Sequence, residues 1–322
     1  MSIAPTRTRA EGDRRQEVTL PTPRGGNARK TRRRVDALAG WALVAPALVL
    51  FTTFVGIPMG VSLGLGLFNW SYFDTPTWVG LDNFLKLVVD ENVWQSLGVT
   101  IRFVILGVPA AVVVSFMLAV LLNYGSRLVR IVRVLYFIPI VTSISVAGVI
   151  WSFVYNPRQG PVGTLLRGIG IETPSILTSK TLALPGLTLI LLWMNLPVLI
   201  ILYLAALQRI SPDMYDAAAL DGAGPWRVLW QVTWPNVKGT TMAVLILSIT
   251  AFAAGSLDIA LIMTQGGPLD STRSLALYSY HQAFTVQEVG YANAVSFVQL
   301  VLVVGLAAMS RLLLGRNADE SR

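Results

Sequence analysis

Six long apolar stretches, each bounded by charged or loop-forming residues, run along this 322-residue chain. They cover about 38–67, 97–122, 134–154, 183–207, 239–263 and 290–310. A helix rises 1.5 Å per residue, so roughly 20 apolar residues cross the hydrocarbon core of a bilayer, which is about 30 Å thick. The pattern therefore predicts an all-α integral membrane protein with six transmembrane helices.

The composition points to the same class. Hydrophobic residues make up 54% of the chain and charged residues 13%, and the mean hydropathy is +0.62. A soluble domain carries about 25% charged residues, so a water-soluble fold is excluded. The chain has no cysteine and one histidine, His281. These counts exclude disulfides, thiolate zinc sites and histidine clusters, and we expect no metal and no catalytic residue on this chain.

Positive charge is concentrated on one side of the predicted spans. Ten of the 25 Lys and Arg precede residue 35, and the net charge is +8. An even number of spans places both termini on one side, and that side carries 19 Lys and Arg against five on the other. The positive-inside rule predicts a disordered cytoplasmic arm over 1–37, a cytoplasmic loop over 208–238 and a cytoplasmic tail over 315–322. The basic charge is a topology signal, and we expect no nucleic-acid partner.

Few polar side chains interrupt the spans. Arg102 lies about one turn into the second span, where its side chain reaches the interface. Asp258, five residues from the end of the fifth span, either faces a translocation pathway or makes a structural hydrogen bond or subunit contact. Asn195 precedes the helix breaker Pro197 in the fourth span. It either satisfies backbone groups freed by the proline or faces the same pathway.

The 208–238 loop has clear helix signals. Ser211 is a good N-cap, Pro212 suits the first helical position, and Gly222 suits a left-handed C-terminus. Pro225 then predicts a second short helix, ended by Trp234-Pro235. The prediction is an exposed helix-turn-helix, and an amphipathic linker on the membrane surface is the alternative.

The same loop resembles a known motif. Asp216-Ala217-Ala218, then Gly222 after three residues and Val232-Thr233-Trp234-Pro235 after nine more, is similar to the EAA loop of ABC importer permeases. Asp replaces the usual Glu, Val the usual Ile and Trp the usual Leu. Further stretches resemble the carbohydrate branch of that family, at 79–84, 137–139, 193–197, 264–268 and 290–292.

This resemblance implies a MetI-like permease domain over 38–314 in a bacterial inner membrane. It implies a second permease, two cytoplasmic ATPase subunits that bind ATP and Mg, and an extracellular or periplasmic solute-binding protein, with no cofactor on this chain. The residues that would couple to the ATPase are Asp216, Ala217, Ala218, Gly222, Ala223, Gly224, Pro225, Trp226 and Pro235.

The solute pathway has weaker signals. A sugar pathway needs aromatic faces and hydrogen-bonding groups, and the candidates are Trp193, Asn195, Tyr203 and Asp258. One alternative is an ABC permease for a non-sugar solute such as a glycerol phosphate ester. Another is an ion-coupled secondary transporter or channel, for which Asp258 is the support. A membrane enzyme lacks a catalytic constellation in the spans.

Overall fold

The computed structural model describes the backbone of residues 26–123, 136–170 and 175–315, with side chains within 39–123, 136–170 and 175–312. The chain divides into two compact units, Met1–Met59 and Gly60–Arg322. The described part of the first unit is helical. Helix α1 (Gly26–Phe51) leads through a π-helical turn (Thr52–Gly56) into α2 (Ile57–Leu65), which continues into the second unit.

The start of α1 differs from the predicted disordered arm over 1–37. The helix begins at Gly26, so residues 26–37 are helical and only 1–25 of the arm lie outside the described residues. Arg, Lys and Ala, which dominate 28–34, have high helix propensity, and they extend the helix backwards from its apolar part. Residues 316–322 of the predicted tail also lie outside the described residues.

The second unit is a helical bundle with one short hairpin among its described residues. Strands β1 (Phe68–Asn69) and β2 (Thr77–Trp78) pair antiparallel, and a 3-10 turn covers Ile138–Val141. Two π-helical turns cover Leu229–Thr233 and Gln282–Val286. The helices are α3 (Asp82–Val89), α4 (Glu91–Asn123), α5 (Ile144–Val154), α6 (Pro161–Gly168), α7 (Ala183–Leu207), α8 (Pro212–Leu220), α9 (Pro225–Val228), α10 (Trp234–Asn236), α11 (Lys238–Ala254), α12 (Ser256–Met263), α13 (Leu275–His281) and α14 (Val289–Gly315).

Five helical stretches of the described chain are long and apolar enough to cross a bilayer. They correspond to the first, second, fourth, fifth and sixth predicted spans. Their bounds are Ala39–Leu65, Glu91–Asn123, Ala183–Leu207, Lys238–Met263 and Val289–Leu312.

The third predicted span, over 134–154, is not one helix in its described part. Residues 136–137 are helical, the 3-10 turn containing Pro139 follows, and Ser143 then caps α5 by accepting a hydrogen bond from the Val146 N–H at 3.3 Å. The interruption falls at Thr142 and Ser143, whose extended backbone (ψ 126° and 150°) separates the 3-10 turn from α5. Helix α5 has 11 residues, and at 1.5 Å per residue it is about 16 Å long. It is too short to cross a bilayer alone.

The core of the bundle forms where α4 packs against α7 and α11. Phe116 of α4 and Tyr203 of α7 are fully buried, with ring centroids 5.5 Å apart. Phe252 of α11 is also fully buried, and its ring lies against Gly107, where a Cβ atom would overlap it. Glycine is therefore required at 107 for α4 and α11 to approach each other.

A carboxylate fastens the end of the bundle at which α4 begins. Asp90 Oδ2 accepts hydrogen bonds from the hydroxyls of Tyr278 at 2.6 Å and Tyr291 at 2.5 Å. Its Oδ1 accepts from the Asn92 N–H at 3.0 Å. We name Asp90, Tyr278 and Tyr291 the Asp90 clamp, because it joins the start of α4 to α13 and α14.

Electrostatics agree with this geometry. Burial acts to raise the pKa of Asp90, but the hydrogen bonds from both tyrosines and Asn92 outweigh it and hold the pKa below its usual value. Burial, followed by the bond to Asp90, raises the pKa of Tyr278 to about 12. The clamp thus consists of an ionised carboxylate and neutral phenols at ordinary pH.

The clamp predicts acid-sensitive stability. A carboxyl whose pKa is lower in the folded state stabilises the fold above its unfolded pKa of about 3.9, and the effect is lost as the pH falls towards the folded pKa. For the partly exposed Asp90 we expect Asp90→Asn to lower the unfolding temperature at neutral pH by about 2–4 °C, equivalent to about 1 kcal/mol. Thermal unfolding of the purified chain from pH 7 downwards measures this.

The difference in unfolding temperature between the parent chain and Asp90→Asn should shrink as the pH falls below about 4 towards the folded pKa of Asp90, because its carboxylate then becomes protonated. Asp82→Asn is the control, because Asp82 is exposed and its side chain has no hydrogen bond within the described chain. A difference that is independent of pH would contradict an ionised clamp.

The contact at Gly107 predicts a steric effect. Gly107→Ala should destabilise the bundle by about 1–3 kcal/mol, because the added methyl overpacks the core against Phe252. Gly98→Ala on the same helix is the control, since the nearest side-chain atom to its Cβ would be Arg102 Nη2 at 3.8 Å. Thermal unfolding should show a lowered midpoint for the first variant only. Equal midpoints would show that α4 and α11 are not in this contact.

Candidate functional site

The 208–238 loop begins with the capped helix that the sequence predicts. Helix α8 starts at Pro212, and the Ser211 hydroxyl accepts a hydrogen bond from the Asp213 N–H at 3.3 Å. Asp213 also lies in the first turn, where its negative charge interacts favourably with the positive end of the helix dipole. Ser211 and Pro212 therefore have the predicted positions, and none of the α8 residues is buried.

Helix α8 ends at a left-handed glycine, also as predicted. Gly222 has φ +70°, and its N–H donates to Ala219 O at 3.0 Å. The Ala223 N–H donates to Ala218 O at 2.9 Å. This pair of bonds is a Schellman motif, which closes the C-terminus of a helix. A Cβ at Gly222 would meet no atom within 4 Å, so φ, and not space within this chain, requires glycine here.

The second helix of the loop extends beyond its predicted end. We expected Trp234-Pro235 to stop it, but α9 (Pro225–Val228) continues through the π-helical turn Leu229–Thr233 into α10, which ends at Asn236. The wider turn tolerates the missing N–H of Pro235, which lies in the first turn of α10.

Trp234 connects the loop to the bundle. Its ring centroid lies 5.0 Å from that of Phe116 on α4 and 5.7 Å from that of Trp230. Trp226, by contrast, is 70% exposed, and Leu220 is 90% exposed. The 208–238 loop thus has one aromatic side chain packed against the core and other apolar side chains that are exposed.

We call residues 216–226 the coupling turn. Asp216, Ala217, Gly222, Gly224, Pro225, Trp226 and the nearby Pro235 are exposed, and Ala218 and Ala223 are half-buried. The Asp216 carboxylate has no hydrogen-bond or ion-pair partner among the residues whose side chains are described. A cavity of about 650 Å³ lies between this turn and the ends of α4 and α7, and Asn123, Leu207, Tyr215 and Trp226 are among its lining residues.

The predicted pathway residues do not form one cluster. Tyr203 is completely buried, and its hydroxyl donates to Thr241 Oγ1 at 3.1 Å. This placement differs from a pathway position and makes Tyr203 a core residue of the bundle. Trp193 is half-buried, with its ring 5.7 Å from that of Trp151.

Asn195 and Asp258 have different surroundings. The Asn195 amide donates to Leu191 O at 2.7 Å, so it does not satisfy the Trp193 carbonyl that Pro197 leaves without its helical donor. Asp258 is exposed on α12, and no hydrogen bond or ion pair of its side chain exists within the described residues. An unpaired carboxylate in a spanning helix requires a polar cavity or a partner subunit.

A groove that the sequence interpretation missed lies along α14, and we call it the polar groove after the hydroxyl and amide side chains set into its otherwise apolar wall. It measures about 580 Å³ and runs between α11, α13 and α14. Ser279 and Ser296 hydrogen-bond across it at 2.7 Å, and Gln299 Nε2 donates to Ala253 O at 3.3 Å. Its polar and aromatic lining residues are Thr250, Ser279, Tyr280, Phe284, Asn293, Ser296 and Gln299. The signal was present in the sequence, because Asn293, Ser296 and Gln299 recur every three residues on one face of a span.

Comparisons with known proteins agree with this architecture. The family model described as "Binding-protein-dependent transport system inner membrane component" matches residues 103–318. The probable ABC transporter permease protein YesP of Bacillus subtilis is 34% identical over 88% of this chain and 93% of its own length. The diacetylchitobiose uptake system permease protein NgcF of Streptomyces coelicolor is 28% identical over 94% and 90% of the two chains.

A solved structure shares the fold. A chain from a bacterial ABC transporter involved in the import of the acidic polysaccharide alginate superimposes with a TM-score of 0.76 and 21% identity, over 89% of this chain and 99% of that one. The predicted MetI-like membrane fold is therefore confirmed. Together with the family match, it shows that this chain belongs to the binding-protein-dependent transport system inner membrane component family.

Proposed function

We propose that this chain is the permease subunit of an ATP-binding-cassette importer for a carbohydrate or a related solute. The observation that carries the proposal is the coupling turn, a hydrogen-bonded and exposed turn at one end of a bundle of spanning helices. Family membership supports it. The chain contains no G-x-x-x-x-G-K-[ST] phosphate-binding loop, so the proposal places ATP hydrolysis on separate subunits.

In this proposal two cytoplasmic ATPase subunits bind ATP and Mg and receive the coupling turn in a surface groove. Exposed Trp226 supplies apolar contact area, and the small side chains at Ala217 and Gly222 allow close approach. Asp216 has an exposed carboxylate available to an Arg or Lys of the ATPase. Displacement of the turn then reaches α4 through the contact of Trp234 with Phe116.

The remaining partners follow from the same family. A second permease would complete the translocation pathway, and a solute-binding protein would deliver the solute to the opposite end of the bundle. With the broken third segment counted as one of six crossings, the positive-inside rule favours a cytoplasmic location for both termini and the 208–238 loop, in a multi-pass arrangement in a bacterial inner membrane. The end that carries the Asp90 clamp is then extracellular or periplasmic.

We infer that the polar groove and Asp258 contribute to the pathway. Sugars present hydroxyls and apolar C–H faces, and the groove offers amides and hydroxyls at Asn293, Ser296 and Gln299 beside the aromatic rings of Tyr280 and Phe284. NgcF, named for diacetylchitobiose uptake, supports a carbohydrate as the solute. Trp193 and Asn195 are secondary candidates.

The coupling turn can be tested with a bulky side chain. In the assembled transporter in proteoliposomes, Gly222→Leu should lower ATP-driven uptake at least about tenfold while membrane insertion and the amount of chain stay unchanged. Leucine strains the left-handed backbone and fills the open space in front of the turn. Uptake and ATP hydrolysis are measured on the same preparation, and hydrolysis that continues without uptake is the expected uncoupled state.

Gly170→Leu is a matched control. Gly170 also has a left-handed φ, +79°, and open space around its Cβ position, but it follows α6, outside the 208–238 loop. It carries the same backbone strain without touching the coupling turn. An equal loss of uptake in the two variants would show that Gly222 matters for backbone strain alone and would remove the coupling assignment, as would normal uptake by Gly222→Leu.

A second variant tests Asp258. Asp258→Asn should reduce uptake by about tenfold or shift solute preference, while recovery of the assembled complex stays unchanged. The measurement is uptake driven by ATP and, separately, by a proton gradient without ATP. Normal ATP-driven kinetics would make Asp258 structural, and gradient-driven uptake that is lost in the variant would favour an ion-coupled transporter instead.

A further inference from the structure

A second polar cavity lies at the end of the bundle opposite the coupling turn. It measures about 530 Å³ and is formed by the first turns of α4, the residues that lead into α7 and the segment that precedes α13. Arg102, Lys180 and Ser271 line it, one from each of these three segments. The polar groove has a different lining, so this cavity is a separate site.

The cavity presents two cationic side chains that form no ion pair among the described residues. Arg102 donates from Nε to Gly98 O at 3.2 Å, which leaves its terminal nitrogens without a partner in the described structure. Lys180 is exposed and takes part in no described hydrogen bond or ion pair. Asp270 also lines the cavity, but it is paired with Arg273 at 3.2 Å. Two cations from different segments therefore face one space.

A buried hydroxyl points to the same chemistry. Ser271 is only 6% exposed, and its Oγ has no hydrogen-bond partner within the described residues. Buried polar groups of proteins are nearly always hydrogen-bonded, and one that is not needs an explanation. A bound oxyanion would supply the counter-charge for both cations, and it would become an acceptor for this enclosed hydroxyl once the Ser271 side chain rotates towards the cavity.

The rest of the wall is apolar. Leu106 lies one turn beyond Arg102 on α4 and is 46% exposed, and Leu184 and Pro185 face the cavity from α7. Snorkelling explains a lone arginine at a membrane interface. It does not explain a second cation on another segment and an unsatisfied hydroxyl at the same cavity.

We propose that this cavity binds a phosphate-type oxyanion, held by Arg102, Lys180 and Ser271, and that its source is the headgroup of an anionic phospholipid. The exposed Leu106 on α4 and Pro185 on α7 offer apolar surface for an acyl chain beside the charged part of the cavity. A soluble phosphate offers the same oxygens without the chain. The site does not depend on the transport function proposed above.

Lipid retention tests the proposal. The full-length chain, with any subunits that co-purify, is placed in nanodiscs of phosphatidylcholine alone or of an equimolar mixture with phosphatidylglycerol, and bound lipid is counted by native mass spectrometry. The parent should retain phosphatidylglycerol in preference to phosphatidylcholine. Arg102→Gln and Lys180→Gln should each weaken retention by about tenfold, the loss expected for one charge-assisted contact.

Two further variants sharpen the result. Arg158→Gln removes an exposed cation that does not line the cavity, and it should retain lipid as the parent does. Ser271→Ala removes a hydroxyl that makes no bond to the described protein, so it should keep the thermal stability of the lipid-free chain while weakening phosphatidylglycerol retention. Lys180 is exposed, and its variant keeps the test valid if Arg102→Gln fails to fold.

A titration with inorganic phosphate in phosphatidylcholine nanodiscs identifies the source. Thermal stabilisation of the parent by phosphate, absent in the Arg102→Gln, Lys180→Gln double variant, would support the oxyanion site and assign it to a soluble ligand. Phosphatidylglycerol retention without a phosphate effect would support the lipid. Equal lipid retention by the parent and the double variant, with no response to phosphate, would overturn the proposal. The proposed transport function would not be affected, because it does not rest on this cavity.

Discussion

The packing of α4 against α7 and α11 is the constraint on which both ends of the molecule depend. The backbone N–H and C=O groups of a spanning helix are already hydrogen-bonded within that helix. Close packing of side chains must therefore hold such helices together in hydrocarbon. The ring of Phe252 over Gly107 and the contact of Phe116 with Tyr203 provide this fit. Helix α4 has 33 residues, about 50 Å at 1.5 Å per residue. It therefore connects the Asp90 clamp with the cavity beneath the coupling turn.

Features that depend on neighbouring residues could be predicted from the sequence. The cap at Ser211, the first helical position at Pro212 and the left-handed Gly222 all have their expected geometry. Each is determined by local sterics and by hydrogen bonds a few residues away. The long apolar helices follow from hydrophobicity over about 20 residues in the same way.

Features that depend on distant partners could not be predicted. Tyr203 has the composition of a sugar contact, but Thr241 and Phe116 from other helices bury it. The polar groove likewise requires three helices to meet, although the spacing of Asn293, Ser296 and Gln299 was a visible signal. Local reasoning also failed at the third span and at Pro235, because extended backbone at Thr142 and Ser143 interrupts that span while a π-helical turn accommodates Pro235.

The hydrogen bonding at Gly222 has an entropic consequence for assembly. Both bonds of the motif, from Gly222 to Ala219 and from Ala223 to Ala218, lie inside the turn, so its shape needs no partner. Fixing the backbone of one residue costs about 1–2 kcal/mol. A protein that docks on this turn does not bear that cost for residues already fixed, because folding of the permease has done so. The preformed turn therefore lowers the contact area that a partner needs for a given affinity.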